Sequence, residues 1–513
     1  MINSIGLSYG HVYVDKEMKR MVVCLFGEFD TYLSAPLAGT TSIERLQAYV
    51  SELPDVVRVV VLGRDGVSVP DEWELRVGAH WTNSQVVTEL AGLVDGPDCE
   101  VLFTFLDQPF VSKELTRRML ERHRKYRADF TFADGYPKGL APEIIAGRAV
   151  GHLQNLAAED LRPFSREGLF GVVQKDINRL DVETELSPRD QRILRLTLAV
   201  DTRANLMVCE AMARGAPEGI DQWQDHVEKL APEHRTLPRY VGIQVIEQEI
   251  QKLTYSPYPQ MRAEVTAPGA VMRAERFRDL VRQIAEFSPE AVLAISLWGE
   301  VSLHPECVAL VETVLDTPAL RLIVETSGVG WSPDSREKLL SLAGPRLLLI
   351  VGLDTDDPDG YREIRGDGYA EAVAFAEEAV KRAPESSYVQ ATRSEITEPT
   401  LEDFYKRWKA LTERVIIQKY DHFCGVLPQR RIGDLSPVDR FPCWHAQRDL
   451  SILVDGTVPL CREDLGTDSC LGNVFEEGID AVWRAGRDSY LRHLKGDYPS
   501  LCRECDEYYT FNY

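Results

Sequence analysis

Cys443, then Ser451-Ile-Leu-Val454, Asp455-Gly456 and Val458-Pro-Leu-Cys461, and finally Cys502-Arg-Glu-Cys505 make up the stretch on which the fold turns. Ser451–Val454 reads as a strand and Asp455-Gly456 as a tight turn, so a hairpin returns Cys461 toward Cys443. Cys502 and Cys505 form a C-x2-C pair, whose thiolates reach one metal or cluster from a single turn. Four soft ligands can converge, and this is the spacing of a metal site rather than of a core.

Outward from that segment, the chain has 513 residues, which predicts about three domains. The boundaries read from composition are 1–235, 236–430 and 431–513. A hydrophobic share of 44% and a charged share of 27% describe a globular chain. The 81 acidic against 58 basic residues, a formal charge of -23, oppose general binding to nucleic acid or anionic membrane. Met1–His11 has no basic region followed by an apolar run, and runs such as Leu347–Val351 are too short to span a bilayer. A cytoplasmic location is the expectation. Thiols stay reduced there, which favours metal ligation over disulfides.

Between 20 and about 150, short apolar strands alternate with amphipathic helices, the pattern of an α/β layer fold. Arg20–Phe26, Val56–Leu62 and Glu100–Leu106 read as strands, Ser42–Leu53 and Ser112–Tyr126 as helices. Asp107 lies at the carboxyl end of a strand, where open α/β sheets bind ligands. Ser187-Pro-Arg-Asp reads as a helix start and Arg192–Met212 as a long amphipathic helix. Pro36–Arg45, Leu106–Val111 and Tyr136-Pro-Lys-Gly-Leu140 resemble stretches of sugar-acid and spore-coat polysaccharide cytidylyltransferases, and Asp201 fits that family's late motif. The resemblance implies a Rossmann-type nucleotidyltransferase sheet, a nucleotide or metal at Asp107, and a phosphate contact for Lys138. However, that family's nucleotide loop is rich in Gly, Arg and Lys, because triphosphate charge must be neutralised. Here Met21–Glu44 holds no Lys or Arg, and Glu28 and Asp30 are acidic. The expectation is the fold without the activity.

From Val241 to about 425, strands at Ala291–Leu297, Leu320–Val324, Arg346–Leu353 and Ser387–Thr392 alternate with helices, which argues a parallel sheet or partial (β/α) barrel. Ile295-Ser-Leu-Trp-Gly-Glu300, Val324-Glu-Thr-Ser-Gly328, and Leu353-Asp354 with Ile364-Arg-Gly366 resemble, in order, the strand-end motifs of radical S-adenosylmethionine enzymes. The resemblance places Glu300 against the cofactor's amino group. The bland reading of Glu300 and of Asp354 is a carboxylate that caps the next turn or pairs with Arg. Such enzymes also need a C-x3-C-x2-C triad to hold a 4Fe-4S cluster that the cofactor chelates. In the corresponding place stand Gln251, Tyr255 and Tyr258, none of them a soft ligand. Trp298 replaces a small glycine, and Gly352 a frequent serine.

Cys443, Gly456, Cys461, Leu471-Gly-Asn-Val474 and Cys502-x2-Cys505 resemble a SPASM domain, the auxiliary iron-sulfur domain of many radical enzymes, and the order of all three regions is similar to the spiro-SPASM proteins. The resemblance implies one 4Fe-4S cluster on Cys443, Cys461, Cys502 and Cys505, since no cysteine follows Cys505. Cys470 could join if its loop folds inward. Cys424, Cys307, Cys209, Cys99 and Cys24 read as small hydrophobes, and His445 as a neighbour of the metal or a surface residue rather than a ligand. Zinc fits the same four-thiolate spacing, although the Asp-Gly-x4-Cys and Leu-Gly-Asn pattern favours iron-sulfur.

These features imply an iron-sulfur protein related to radical enzymes but without their catalytic cluster and with S-adenosylmethionine in doubt. Its role would be recognition of a protein, peptide or small-molecule partner, or electron relay. The alternatives are a nucleotidyltransferase-like enzyme of nucleotide-sugar or surface-glycan metabolism, and a radical enzyme with atypical ligation.

Overall fold

The run from Met21 to Phe26 is apolar at every position and buried on both faces, the mark of a central strand in a sheet covered on both sides. A computed structural model describes residues 20–28, 32–262, 264–295 and 297–510; Met1–His11, Asp30 and Ser296 lie outside the described residues. The chain divides into two compact units, one running to Asp201 and including Met212–Val227, the other comprising Thr202–Ala211 and Glu228 onward.

The first unit is built on strands β1 (Arg20–Gly27), β2 (Val56–Gly63), β3 (Glu74–Val77), β4 (Cys99–Phe105), β5 (Phe130–Asp134), β6 (Glu143–Ala146) and β7 (Val182–Leu186). Their order is β3-β2-β1-β4-β6-β5-β7. Strand β6 runs antiparallel to β4 and β5, whereas the other pairs are parallel. The order reverses between β1 and β4, and Asp107 lies just beyond β4, at the crevice where such sheets hold ligands. Ser112 caps the helix Lys113–Tyr126, its hydroxyl accepting from the Leu115 amide.

Two expectations fail in this unit. Arg192–Met212 is not one helix: a single 3-10 turn, Arg192–Leu194, is followed by extended chain, and the helix starts at Arg203. The backbone of that stretch is used elsewhere, Leu198 N–H donating to Lys138 O at 2.7 Å and Val200 N–H to Asp107 O at 2.8 Å. The same ties bring Asp201 back to the end of β4. Ser187 likewise starts no helix; its amide closes the end of the β5–β7 ladder on Asp134 O at 2.8 Å.

The second unit holds an open seven-stranded sheet of β8 (Tyr240–Ile243), β9 (Val292–Ala294), β10 (Arg321–Thr326), β11 (Leu347–Gly352), β12 (Ser387–Arg393), β13 (Val415–Lys419) and β14 (Asp449–Ile452), in the order β13-β12-β11-β10-β9-β8-β14. All of its pairs are parallel. Helices such as Ala274–Phe287 and Tyr369–Arg382 bury Phe277, Leu280, Phe375 and Ala376 against it. The architecture is α/β, with a partial barrel in which strands alternate with helices.

Strand β14 corrects the hairpin expected at Ser451–Val454. It begins two residues earlier and pairs with β8, Ser451 opposite Gly242, so the C-terminal segment supplies an edge of the sheet. The chain does reverse at Leu453–Thr457, but the return strand β15 (Thr457–Val458) pairs with β16 (Gly472–Asn473). Leu450, Ile452, Val458, Val474 and Trp483 share one core with the barrel strands. At roughly 1.5–3 kcal/mol for each fully buried large apolar side chain, this joins the cysteine-bearing segment firmly to the sheet. Among the described residues, no helix is long and apolar enough to cross a membrane.

Candidate metal centre

Cys443, Cys461, Cys502 and Cys505 line one cavity of about 90 Å³, and Cys424 lines it with them. Each arrives on a different device. Cys443 precedes the short helix Trp444–Arg448, whose last residue leads directly into β14. Cys461 follows the turn at Gly456, where φ is +92° and an added Cβ would meet the Phe475 ring at 2.3 Å; only glycine fits there. Cys502 lies on the helical turn Ser500–Arg503, and Cys505 just past it. Arg440 holds that turn by donating to the carbonyls of Cys502 and Arg503, and its guanidinium stacks on Tyr498 and Tyr508.

The donor set fits an iron-sulfur cluster. Burial pushes the Cys443 and Cys461 thiols up, and Cys502 to about 11, so coordination is what would make them thiolates. The Glu507 amide already points at the Cys505 sulfur, 3.3 Å away, a hydrogen bond of the kind that tunes clusters. His493 lines the same cavity. Burial lowers its imidazole to about 4, so it is neutral. Its Nδ1 accepts from the Cys443 amide, which leaves the proton on Nε2, a buried atom with no partner in the protein. A sulfur on the cluster would satisfy it.

Cys470, by contrast, is exposed and exchanges weak hydrogen bonds with Gly472; it is not among the residues lining the cavity. His445 is tied to Asp449 and to the Glu507 carbonyl, which holds it beside the centre. Cys424 had no sequence signal beyond its identity, and the expectation that it only packs is corrected here.

A second cavity, of about 230 Å³, opens at the carboxyl ends of the barrel strands, and Leu297, Glu325 and Arg462 line both cavities. In the places where the radical family carries cysteines, the side chains are engaged in the fold. Tyr255 donates to Asp354, and Arg365 donates to Asp354 at 2.6 Å and to the Tyr255 oxygen at 3.0 Å. Gln251 donates to Tyr361 and to the Asp367 carbonyl, and Tyr258 accepts from Gln244. Gly352 has its own reason here: a Cβ would lie 2.5 Å from the Arg365 guanidinium. Trp298 lies between Tyr258 and Phe423, with ring centroids 6.1 and 5.5 Å away.

Glu300 accepts from Thr326 Oγ1 at 2.6 Å, from the Ser327 amide at 2.8 Å and hydroxyl at 2.7 Å, and from Ser302 N–H. It caps the following turn, ties two strand ends together and lines the barrel cavity. Neighbouring Glu249 accepts from the Gly299 amide; burial pushes its carboxyl to about 7.

In the first unit Asp107 and Asp201 do meet, bridged by Arg166, which lies 2.9 Å from Asp201 and closer still to Asp107. Burial raises Asp107 to about 6 although Arg166 opposes the shift. A divalent cation between these carboxylates would have to displace a guanidinium, so the residues present do not fit one. Lys138 is paired with Glu167.

Residues 443–506 match the SPASM family, described as an iron-sulfur cluster-binding domain. This is a SPASM-domain protein. The chain belongs to the family of an uncharacterized protein of Treponema pallidum (strain Nichols), with which it is 36% identical over 365 residues, 68% of this chain and 100% of that one. Among solved structures, SuiB of Streptococcus suis bound to precursor peptide SuiA aligns at 15% identity with a TM-score of 0.42, over 72% of this chain and 88% of that one. A cytidylyltransferase from Leptospira borgpetersenii serovar Hardjo-bovis (strain JB197) aligns at 15% identity with a TM-score of 0.33, over 42% of this chain and 94% of that one.

Proposed function

We propose that this chain holds one 4Fe-4S cluster on Cys443, Cys461, Cys502 and Cys505 and carries out no S-adenosylmethionine-dependent radical chemistry of its own. The cluster serves recognition of a peptide, protein or small-molecule partner in the barrel cavity, or electron relay to it. The observation that carries this reading is the wall of Leu297, Glu325 and Arg462 common to the two cavities. A ligand in the barrel would sit next to the cluster, and Arg462 directly follows a sulfur ligand in the chain.

The absence of radical chemistry rests on Gln251, Tyr255 and Tyr258. They offer an amide and two phenols where three thiolates are needed, and Tyr255 is fixed in a buried network with Asp354 and Arg365. The Asp-Gly-x4-Cys and Leu-Gly-Asn pattern and the match of residues 443–506 to an iron-sulfur cluster-binding domain support a cluster over zinc. A reducing, cytoplasmic setting belongs to the same reading, because a disulfide among these cysteines would remove ligands.

The test is anaerobic incubation of the purified full-length protein with S-adenosylmethionine and dithionite. No 5′-deoxyadenosine above the protein-free control is expected; turnover would place a second cluster in the barrel. The nucleotidyltransferase alternative is checked by calorimetric titration with CTP and magnesium, where Arg166 between Asp107 and Asp201 predicts no binding heat.

A further inference from the structure

A carboxyl stands on the aromatic face of the first sheet. Glu143 of β6 is the register partner of Phe103 in β4, and residues directly opposite each other in a ladder project to the same face. On the other side Thr131 pairs with Ile144, so the next rung sets Phe132 of β5 beside Glu143 on that face as well. Phe170, on the helix Gly168–Gln174, packs on Phe132 with ring centroids 5.0 Å apart. All four residues line a cavity of about 320 Å³ within the first unit. Phe132 and Phe170 are only half-buried, which leaves ring surface open to it. Of the six charged residues lining this cavity, five are in ion pairs: Lys138 with Glu167, Arg192 with Asp134, and Arg166 with Asp107 and Asp201. Among the described residues nothing hydrogen-bonds to or pairs with the carboxyl of the sixth, Glu143. Burial pushes it up to about 8, and the charge of nearby Glu167 adds to the shift. A carboxyl among phenyl rings without a partner is unfavourable until something completes it.

We propose that this cavity binds an organic ammonium group, with the Glu143 carboxylate as its counter-ion and the rings of Phe103, Phe132 and Phe170 as its walls. Aromatic faces attract a cation through their negative quadrupole, and their apolar surface suits its alkyl substituents. An anion would meet the one unmatched charge of the lining with the wrong sign. A neutral sugar would find few unengaged polar groups, because the other charged side chains are already paired. The site does not depend on the cluster or on the barrel cavity, since every residue in it belongs to the first unit.

The full-length protein is titrated with tetramethylammonium chloride and, separately, with tert-butanol, which is close to it in size and uncharged; binding is read by ligand-observed NMR at constant ionic strength. The ammonium is expected to bind saturably and at least about tenfold more tightly than the alcohol, and glucose to compete with neither. Equal affinity for the alcohol, or displacement of the ammonium by glucose, overturns the proposal. This comparison needs no variant. Glu143→Gln is expected to weaken ammonium binding by about tenfold, and Phe170→Leu, which keeps apolar area but loses the ring face, by several-fold. Unchanged affinity in both variants also overturns it. Because the bound cation requires the carboxylate, affinity is expected to rise by about tenfold between pH 7 and 9. That window lies above Asp107 at about 6 and below Tyr136, whose phenol burial raises, while Asp134, Lys138, Arg166, Glu167 and Arg192 are held in ion pairs. The rise is expected to vanish in Glu143→Gln, and a rise retained there would assign the cation to another group.

Discussion

Arg166 decides the chemistry at the end of β4, because one guanidinium bridges two carboxylates that would otherwise invite a metal. Breaking such a buried set from one side leaves uncompensated charge, typically a cost of about 3–5 kcal/mol. Arg166→Met is expected to lower the thermal midpoint of the first unit by about 6–20 °C, measured by calorimetry. Asp107 gives a pH signature of definite sign. Its carboxyl lies at about 6 in the fold and near 3.9 when unfolded. The unfolded chain therefore gives up its proton first as pH rises, and the native state loses stability between roughly pH 4 and 6, by an amount on the order of 1–3 kcal/mol. Urea unfolding across that range should show the loss, and Asp107→Asn should flatten it. Asp107 and Asp201 were legible from their motif positions. Arg166 was not, because Phe164-Ser-Arg166 carries no pattern and the pairing spans 59 residues.

At the scale of elements, local turn chemistry was the more readable part. The Asp455-Gly456 turn behaves as its residues predict, and Gly456→Ala is expected to destabilise the segment by more than about 1 kcal/mol, since both φ and the Phe475 ring oppose a Cβ. Lower iron content at equal protein concentration is the accompanying readout. What the sequence hid were partners distant in the chain. Ser451 reads as part of a hairpin because its strand runs into the Asp455-Gly456 turn, yet its ladder partner is Gly242 in β8. The edge strand β7, Val-Glu-Thr-Glu-Leu, alternates over only five residues, two of them Glu; it is held by β5 and by Arg122, which pairs with Glu183 and Glu185. Arg192–Met212 carries helical periodicity that loses to the backbone bonds from Leu198 and Val200. Cys424 belongs here as well: left-handed φ at two adjacent non-glycine residues is invisible to propensity.

On the scale of the whole molecule, the described residues carry three sites that their resemblances associate with chemistry, and they differ in what their side chains are engaged with. The crevice of the first sheet is bridged by Arg166, and Tyr255, one of the three residues that resemblance puts in the place of a cysteine triad, is held by Asp354 and Arg365. The cysteine cavity keeps a full set of soft donors, an unpartnered imidazole N–H and an amide aimed at sulfur. The network around Tyr255 has a testable stiffness. Tyr255→Phe removes the phenolic hydrogen bonds to Asp354 and Arg365 and is expected to cost about 1–3 kcal/mol without changing bound iron. Iron and acid-labile sulfide per chain in anaerobically purified full-length protein, together with zinc by mass spectrometry, test the central claim most directly. About four iron and four sulfide with no zinc is the predicted result, whereas about eight iron, or one zinc and no iron, would contradict it.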